Sequence, residues 1–506
     1  MKLTRRQWLW GLGATALPLK SLLAQQELKG GYRGQLDEYR RMWDQYFHVV
    51  NASTNQQLGT PFRLSTAILR FGLQDRFRGR ISLRSSDPKA VLPAPYQFGS
   101  ADDEYESHLF QATLNSEGEH TITVRDEKTG SEFVSNRIVV SAREPKYKLY
   151  FGDIHIHSGW SVDGRGSPDY NYVYARDAMN LDFACLTEHD PTEGRWQQIK
   201  AKARELYQPG RFATMSAYEW TGHKVNAGHK NVYYRNFEAP VFRSNFLDDP
   251  VYKVSAQTWS AFDLWAKLRE SGETGKTAMT IPHHPAAAFT VPWNDADPEF
   301  QRLVEVYSTW GNSEYADGPR QIRVMGGPRP GHFVQDGLAA GQKLGFVGAS
   351  DSHSGRPGYA GHGRIYFDSD YSFPDTEVYS GGITGIYAEE LTHEAVFDAI
   401  NSRRCFATTG VRIIVEFRAD DHWMGEEFKS NDAPHFSARV VGTAPIESVT
   451  LVKNNTDYVV VPGNGPILQF EYDKTEPPKT TDYYYLRVIQ ADGEMAWSSP
   501  VWISKK

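Results

Sequence analysis

FGDIHIHSGWSVDGRG (residues 151–166) overlaps the end of the apolar run YKLYF and carries Asp153, His155, His157 and Asp163. Side chains two apart on a strand share a face, so Asp153, His155 and His157 project together from the end of a buried strand. Collecting imidazoles and a carboxylate on one face of a core strand is costly unless something binds them. The pattern predicts the first half of a metal cluster, with Asp153 orienting a ligating imidazole.

Outward from this stretch, 146–410 alternates apolar strand-like runs (KLYFGDIH, DFACLTEH, FATMSAYEW, TAMTIPHH, RLVEVYST, LGFVGASDSH) with helix-like stretches such as PDYNYVYARDAMNL and GRWQQIKAKARELY. That alternation predicts a parallel α/β architecture. Ligand-type residues close most of these runs, and in barrels of this class the C-terminal ends of the strands carry the active site. Residues 25–145 open with a lead-in of helical spacing (LDEYRRMWDQYF) and continue as short alternating runs, for which a β-sandwich is expected; 411–506 reads as a second sandwich.

The chain has 506 residues, enough for several domains, and a formal charge of −7 that argues against a nucleic-acid-binding surface. Beyond the N-terminus no apolar stretch is long enough to span a bilayer. Residues 1–24, with Arg5-Arg6 ahead of an apolar run and small residues near Ala24, have the anatomy of a twin-arginine export signal. They predict a periplasmic or secreted bacterial protein. The two cysteines, Cys185 and Cys405, make no disulfide framework, and Cys185 lies in a core-like run.

Further candidates follow the first cluster: Glu188, His189 and Asp190 in CLTEHD, Glu219 in SAYEW, His229 in GHKNVYY, His283 and His284 in TIPHH, and Asp351 and His353 in GASDSH. Imidazole with carboxylate suits Zn, Mn or Fe. One ion takes four to six ligands, so this many donors on one rim predicts two or three divalent ions. Such a cluster clamps a phosphoryl group and activates water at neutral pH. The plain alternative for each residue is a hydrogen-bonded polar group at a strand end. Arg165 and Arg356 are placed to fork onto a phosphate, with Lys230 a weaker candidate. Tyr218, Trp220 and Trp310 are candidates for an aromatic wall; His223, His332, His362 and His393 are left as surface or supporting residues.

DIHIHSGWSVDG, TEHD and GASDSHSG resemble the motifs of the polymerase and histidinol phosphatase (PHP) family of the amidohydrolase superfamily. The layout also resembles an uncharacterised group of exported bacterial members with flanking β domains. The resemblance implies a distorted, TIM-like β/α barrel and phosphoester hydrolysis on two or three ions. It also implies a ligand set: His155, His157, Asp163, His189, Glu219 as the bridging carboxylate, His229, one of His283 and His284 with His284 favoured, Asp351 and His353. TEHD departs from the commoner Thr-Asp-His of the family, which leaves the role of Glu188 open.

The expected function is therefore that of an exported metal-dependent phosphoesterase, acting on mono- or diesters through an activated hydroxide. Asp351 is the candidate proton acceptor, His229 the candidate donor to the leaving alkoxide, and Arg165 and Arg356 the charge-neutralising groups. Two alternatives stand beside it: an amide, lactone or carboxylate-ester hydrolase on the same chassis, and a non-catalytic binding protein stabilised by metal.

Overall fold

The computed structural model describes residues 45–71, 75–222, 228–244, 257–258, 260–287, 289–322, 327–358 and 379–506. The export signal and most of the lead-in lie outside these residues. The end of the lead-in is not helical: Gln45–Ala52 is a strand, paired antiparallel to Phe62–Phe71, which in turn pairs with Ser107–Ala112. A second sheet, Tyr96–Gln97, Arg80–Ser85, Ile122–Asp126 and Glu132–Val134, encloses with it a core that includes Leu64, Ile81, Phe110 and Val124. Among the described residues no helix is long and apolar enough to cross a membrane.

The central region departs from the expected architecture. The protein is mostly β, with 40% strand against 13% helix spread over many small sheets, and no closed barrel forms among the described residues. The runs read as strands are strands, but their pairing differs. Lys148–Ile156, Phe183–Leu186 and Ala213–Thr214 run parallel, as do Leu303–Ser308 and Gly345–Gly348. By contrast Ser216–Thr221, His229–Tyr234 and Ala278–Pro282 form an antiparallel meander, and Ile383–Ala388 is antiparallel to both its neighbours. An antiparallel return needs no crossover helix, whereas each parallel step does. The low helix content has this cause.

Helices stand where capping and amphipathic spacing agree. Thr192 caps Glu193–Leu206 by accepting from Arg195 N, and Trp196, Ile199 and Ala203 bury its apolar face. Ser167, followed by Pro168 at the first position, starts Pro168–Val173, which runs on into a π-helical turn, Tyr174–Ala178.

One sheet crosses from the central region into the C-terminal one. Its order passes from Ala213–Thr214 through Phe183–Leu186, Lys148–Ile156, Ile383–Ala388 and Cys405–Thr408 to Met495–Ser498, Thr481–Gln490, Ile446–Lys453 and Thr456–Pro462. Within it, Phe183 lies across the Cα of its register partner Gly152, where a Cβ would come within 2.2 Å of the ring. The glycine is required by this close approach, and the packing fixes the strand that presents His155. Arg412 ties three regions together, donating to the carbonyls of Ala52, Met179 and Asn180. Both cysteines are buried and free.

Candidate metal centre

The strand ends bring most of the ligand-type residues to one place. Lys148–Ile156 supplies His155 and, one residue beyond it, His157; the turn after Phe183–Leu186 supplies His189; Ser216–Thr221 supplies Glu219. His229 opens its strand, His283 and His284 follow Ala278–Pro282, and Asp351 and His353 follow Gly345–Gly348. Backbone bridges Ile156–Ser352 and His189–Glu219 hold these ends side by side. The loop after His157 folds back tightly: a Cβ on Gly164 would lie 2.2 Å from Ser158 O, and this return brings Asp163 to His189. His284 and Asp351 have φ of +33° and +52°, conformations that non-glycine residues hold at a cost of about 1–3 kcal/mol, and typically at functional sites.

Four donor atoms converge most closely. His155 Nε2 lies 3.2 Å from His157 Nε2, 3.4 Å from Glu219 Oε2 and 3.2 Å from Asp351 Oδ1. His157 Nε2 lies 3.1 Å from Glu219 Oε2 and 3.4 Å from Asp351 Oδ1. A tetrahedron with metal–ligand bonds of about 2.0–2.1 Å has edges of about 3.3–3.4 Å. These five separations lie close to such edges, and His155, His157 and Asp351 form one ligand-spaced group and His155, Glu219 and His283 another.

Glu219 turns its other oxygen elsewhere. Oε1 is 3.0 Å from His229 Nδ1 and 3.3 Å from His283 Nε2, and His229, His283 and His284 themselves form a ligand-spaced triad. Among the described residues neither ring nitrogen of buried His283 makes a hydrogen bond of good geometry, which fits a ligand role. A third group is His157, His189 and His353, with Asp163 3.4 Å from His189 and 3.6 Å from His353. His284 and His283 thus both fall in the cluster, and His283 is the one that reaches Glu219.

The outer nitrogens set which tautomer each imidazole takes. His155 Nδ1 donates to Glu305 Oε2 at 2.9 Å, His157 Nδ1 to Ser161 Oγ at 3.1 Å, and His353 Nδ1 to the Asp351 carbonyl at 3.0 Å. Each therefore turns Nε2 toward the cluster. Glu188 is not in the cluster; it accepts from Ser158 N and from the hydroxyls of Ser158 and Ser161, bracing the loop behind His157. Asp153 accepts from the backbone of His155, Ser350 and Gly358, not from an imidazole. Asp190 receives Ser244 N and Oγ.

Electrostatics reflects the crowding. Burial alone would raise the Glu219 carboxyl, but the imidazoles of His189, His283, His155 and His157 hold it well below the carboxylate range. Burial likewise opposes the charged form of His155, yet Asp351 and Glu305 raise it well above an ordinary histidine. His284, buried with His283 and His229 beside it, is driven well down and stays a neutral donor.

Other expected residues lie elsewhere. Arg356 faces Glu106 of the N-terminal unit at 3.6 Å, and Arg165 is half-buried on the returning loop. Tyr218 and Trp220 are core residues bonded to Phe242 O and Thr258 Oγ1, and Lys230 lies beneath, over the Trp220 ring. Trp310 alone of the expected wall reaches the cluster, its indole N–H donating to Asp351 Oδ2. His332 bonds Val291 O and His393 packs beside Phe237; His223 and His362 lie outside the described residues. Glu305, Ser161 and Thr221, whose hydroxyl lies 2.9 Å from His189 Nδ1, were not anticipated. A lone carboxylate inside the apolar run LVEVY was the signal for Glu305.

Fold and site together define a mostly-β protein with a cluster of histidine and carboxylate side chains spaced as metal ligands would be. Residues 170–309 and 335–442 match the family profile described as "Protein of unknown function (DUF3604)". The resemblance to the polymerase and histidinol phosphatase family and its exported members is not upheld, since the matching profile is this other one and no TIM-like barrel is present among the described residues. An uncharacterised protein of Chlamydia pneumoniae is 27% identical over 417 residues, covering 77% of this chain and 63% of its own length. One from Chlamydia trachomatis serovar D is 28% identical with the same coverage. The chain thus spans less than two thirds of the length of these relatives. Among solved structures, Bacteroides uniformis beta-glucuronidase 3 aligns with 92% of this chain and 64% of its own at 8% identity and a TM-score of 0.17. A putative beta-galactosidase from Bacteroides fragilis gives a TM-score of 0.15 at 8% identity, covering 91% and 73% of the two chains. Likenesses this low carry no argument.

Proposed function

We propose that the protein is a metal-dependent hydrolase of phosphoesters. The observation that carries this reading is Glu219, whose two oxygens face different sets of imidazoles, as a carboxylate bridging two ions must. Divalent ions of the Zn, Mn or Fe class, two or three per chain, would supply water activation and neutralise charge on a phosphoryl group. The chain's own part is to fix donor orientation. Glu305, Ser161 and the Asp351 carbonyl hold three imidazoles with Nε2 inward, and Trp310 holds Asp351 with Oδ1 inward. Asp351 and His229 are expected in proton transfer, but Asp351 Oδ1 faces His155 and His157 and His229 Nδ1 faces Glu219, and we assign both to ligation. The burial of His155, His157 and Glu219 keeps bulk water from competing for the donor atoms.

Elemental analysis of protein purified without added metal tests this, with p-nitrophenyl phosphate and bis-p-nitrophenyl phosphate assayed on the same sample. Two or three ions with turnover of either ester is expected, and Glu219→Gln should lose at least one ion. One ion or none, and no activity after Mn or Zn is restored, would falsify it. Bound ions with turnover of a lactone or amide alone would transfer the site to another bond class.

We place the protein outside the cytoplasm on the strength of Arg5-Arg6 and the apolar run behind them. Replacing both arginines with lysine should leave the protein in the cytoplasmic fraction; unchanged periplasmic or secreted yield would refute the export route.

A further inference from the structure

The most exposed donors of the cluster are held differently from the rest. His155, His157, Glu219 and His283 are buried at or beside strand ends, and the backbone bridge to Glu219 fixes His189 in the same way. Asp163 and His353, 3.6 Å apart, come instead from the loops 158–166 and 350–358, and the Asp163 side chain is 46% exposed. Loops open locally at lower free energy than paired strands. Donors carried on them need packing to stay at ligand distance.

Tyr170 lies against both loops. On the first, a Cβ on Gly166 would come 3.2 Å from Tyr170 Cδ1; on the second, a Cβ on Gly355 would come 3.7 Å from Tyr170 Cε1 and 3.4 Å from Arg165 O. The ring's own place is set by the start of Pro168–Val173. Ser167 caps that helix by accepting from Tyr170 N, and Asn171 donates to Arg165 O and Ser167 O, so the helix start and the end of the first loop are tied together. The N-terminal unit stands behind them with two residues that precede Ser107–Ala112. The Tyr105 ring is 5.1 Å from that of Tyr170 at an interplanar angle of 30°, and Glu106 is 3.6 Å from Arg356, the neighbour of Gly355.

We propose that Tyr170 is a positioning residue for an ion held by Asp163, His189 and His353, and that Tyr105 and Glu106 make the N-terminal unit its support. The inference rests on the reading of several ions given above and adds a division to it. This ion depends on packed loops, the others on paired strands. The contacts are made by the ring of Tyr170, not by its hydroxyl, so phenylalanine should serve as well and an aliphatic side chain should not.

Zinc titration of the full chain, stripped of metal and set against a chromophoric chelator, separates ions by affinity. The wild type should bind zinc in at least two affinity classes, with Asp163→Asn abolishing the weakest. Tyr170→Leu should weaken that class alone by about tenfold, the scale on which a supporting group acts, and Tyr170→Phe should bind as the wild type does. Tyr105→Leu, changed in the N-terminal unit, should weaken the same class. Adding Tyr170→Leu to Asp163→Asn should weaken nothing further, because the ring acts through a donor already lost. Wild-type zinc binding in both leucine variants, weakening of every class together, or a Tyr170→Phe variant as weak as Tyr170→Leu overturns the inference and leaves the several-ion reading standing. At most one zinc in the wild type overturns that reading, and this inference with it.

Discussion

Glu305 shows how much of the centre is set by a residue that touches no substrate. Its Oε2 accepts from His155 Nδ1 at 2.9 Å, while Oε1 is buried without a hydrogen-bond partner among the described residues. Burial raises the carboxyl, to about 7, and the His155 imidazole beside it pulls the other way. Glu305→Gln preserves volume but removes the negative charge behind the ligand. Loss of such a partner typically costs about 10–100-fold in metal affinity. Competition with a chelator should show a fall of that order, with an unchanged unfolding midpoint once metal is removed from both proteins. Equal metal affinity in the variant would show that His155 needs no such support. His155, His157, Asp351 and His353 were legible in the sequence because ligand-type residues two apart at the end of an apolar strand are costly to bury for packing alone. Glu305 was not, because a single acid in an apolar strand reads equally as an ion-pair member, an edge residue or a ligand.

At the scale of elements, His48 on Gln45–Ala52 gives the N-terminal unit an acid-sensitive core. Its ring lies between Phe77 and Phe133, neither nitrogen has a hydrogen-bond partner among the described residues, and burial lowers it to about 4 although Asp126 pulls the other way. The unfolded chain protonates His48 near pH 6.5, so between pH 6.5 and 4 the unfolded state binds more protons and stability falls as pH falls. The full difference is about 3 kcal/mol. His48→Phe should lower the loss of urea midpoint between pH 7 and 4.5; the same loss in both proteins would place the acid sensitivity elsewhere. Strand positions throughout this unit and the central region follow from apolar alternation, which is why the runs from GRISLRSS to LGFVGASDSH emerge as strands. Pairing direction leaves no such trace, because a strand buried on both faces reads the same beside a parallel or an antiparallel neighbour. The run at His229–Tyr234 was read for its histidine, and its role as the middle strand of a meander went unseen. Counting it and Ile383–Ala388 as antiparallel is what separates the observed fold from the expected barrel.

Over the whole molecule, the C-terminal strands are part of the structure that holds the candidate metal centre. The segment after Trp310 carries Glu314 into the C-terminal unit, where its buried carboxylate receives Arg487 Nε and Nη2, Tyr485 Oη and Trp497 Nε1 at 2.6–3.0 Å. Nearby, Arg320 pairs with Glu494 at 2.7 Å. Trp310 orients Asp351 from one end of this segment while Glu314 anchors the other, so loosening the anchor should be felt at the ligand. Breaking a buried pair by removing one charge costs about 3–5 kcal/mol, whereas replacing both partners with apolar residues of similar volume is often neutral. Glu314→Gln leaves Arg487 with only Asp457, 2.9 Å from Nη1. It should therefore lose stability near the lower end of that range, with weaker metal retention during heating. The double variant Glu314→Leu/Arg487→Met should recover most of the stability. Thermal unfolding of the three proteins, with metal release followed in parallel, decides the matter. If Glu314→Gln unfolds within about 0.5 kcal/mol of the wild type, the ordinary range for a surface substitution, the C-terminal unit is not fastened through this residue.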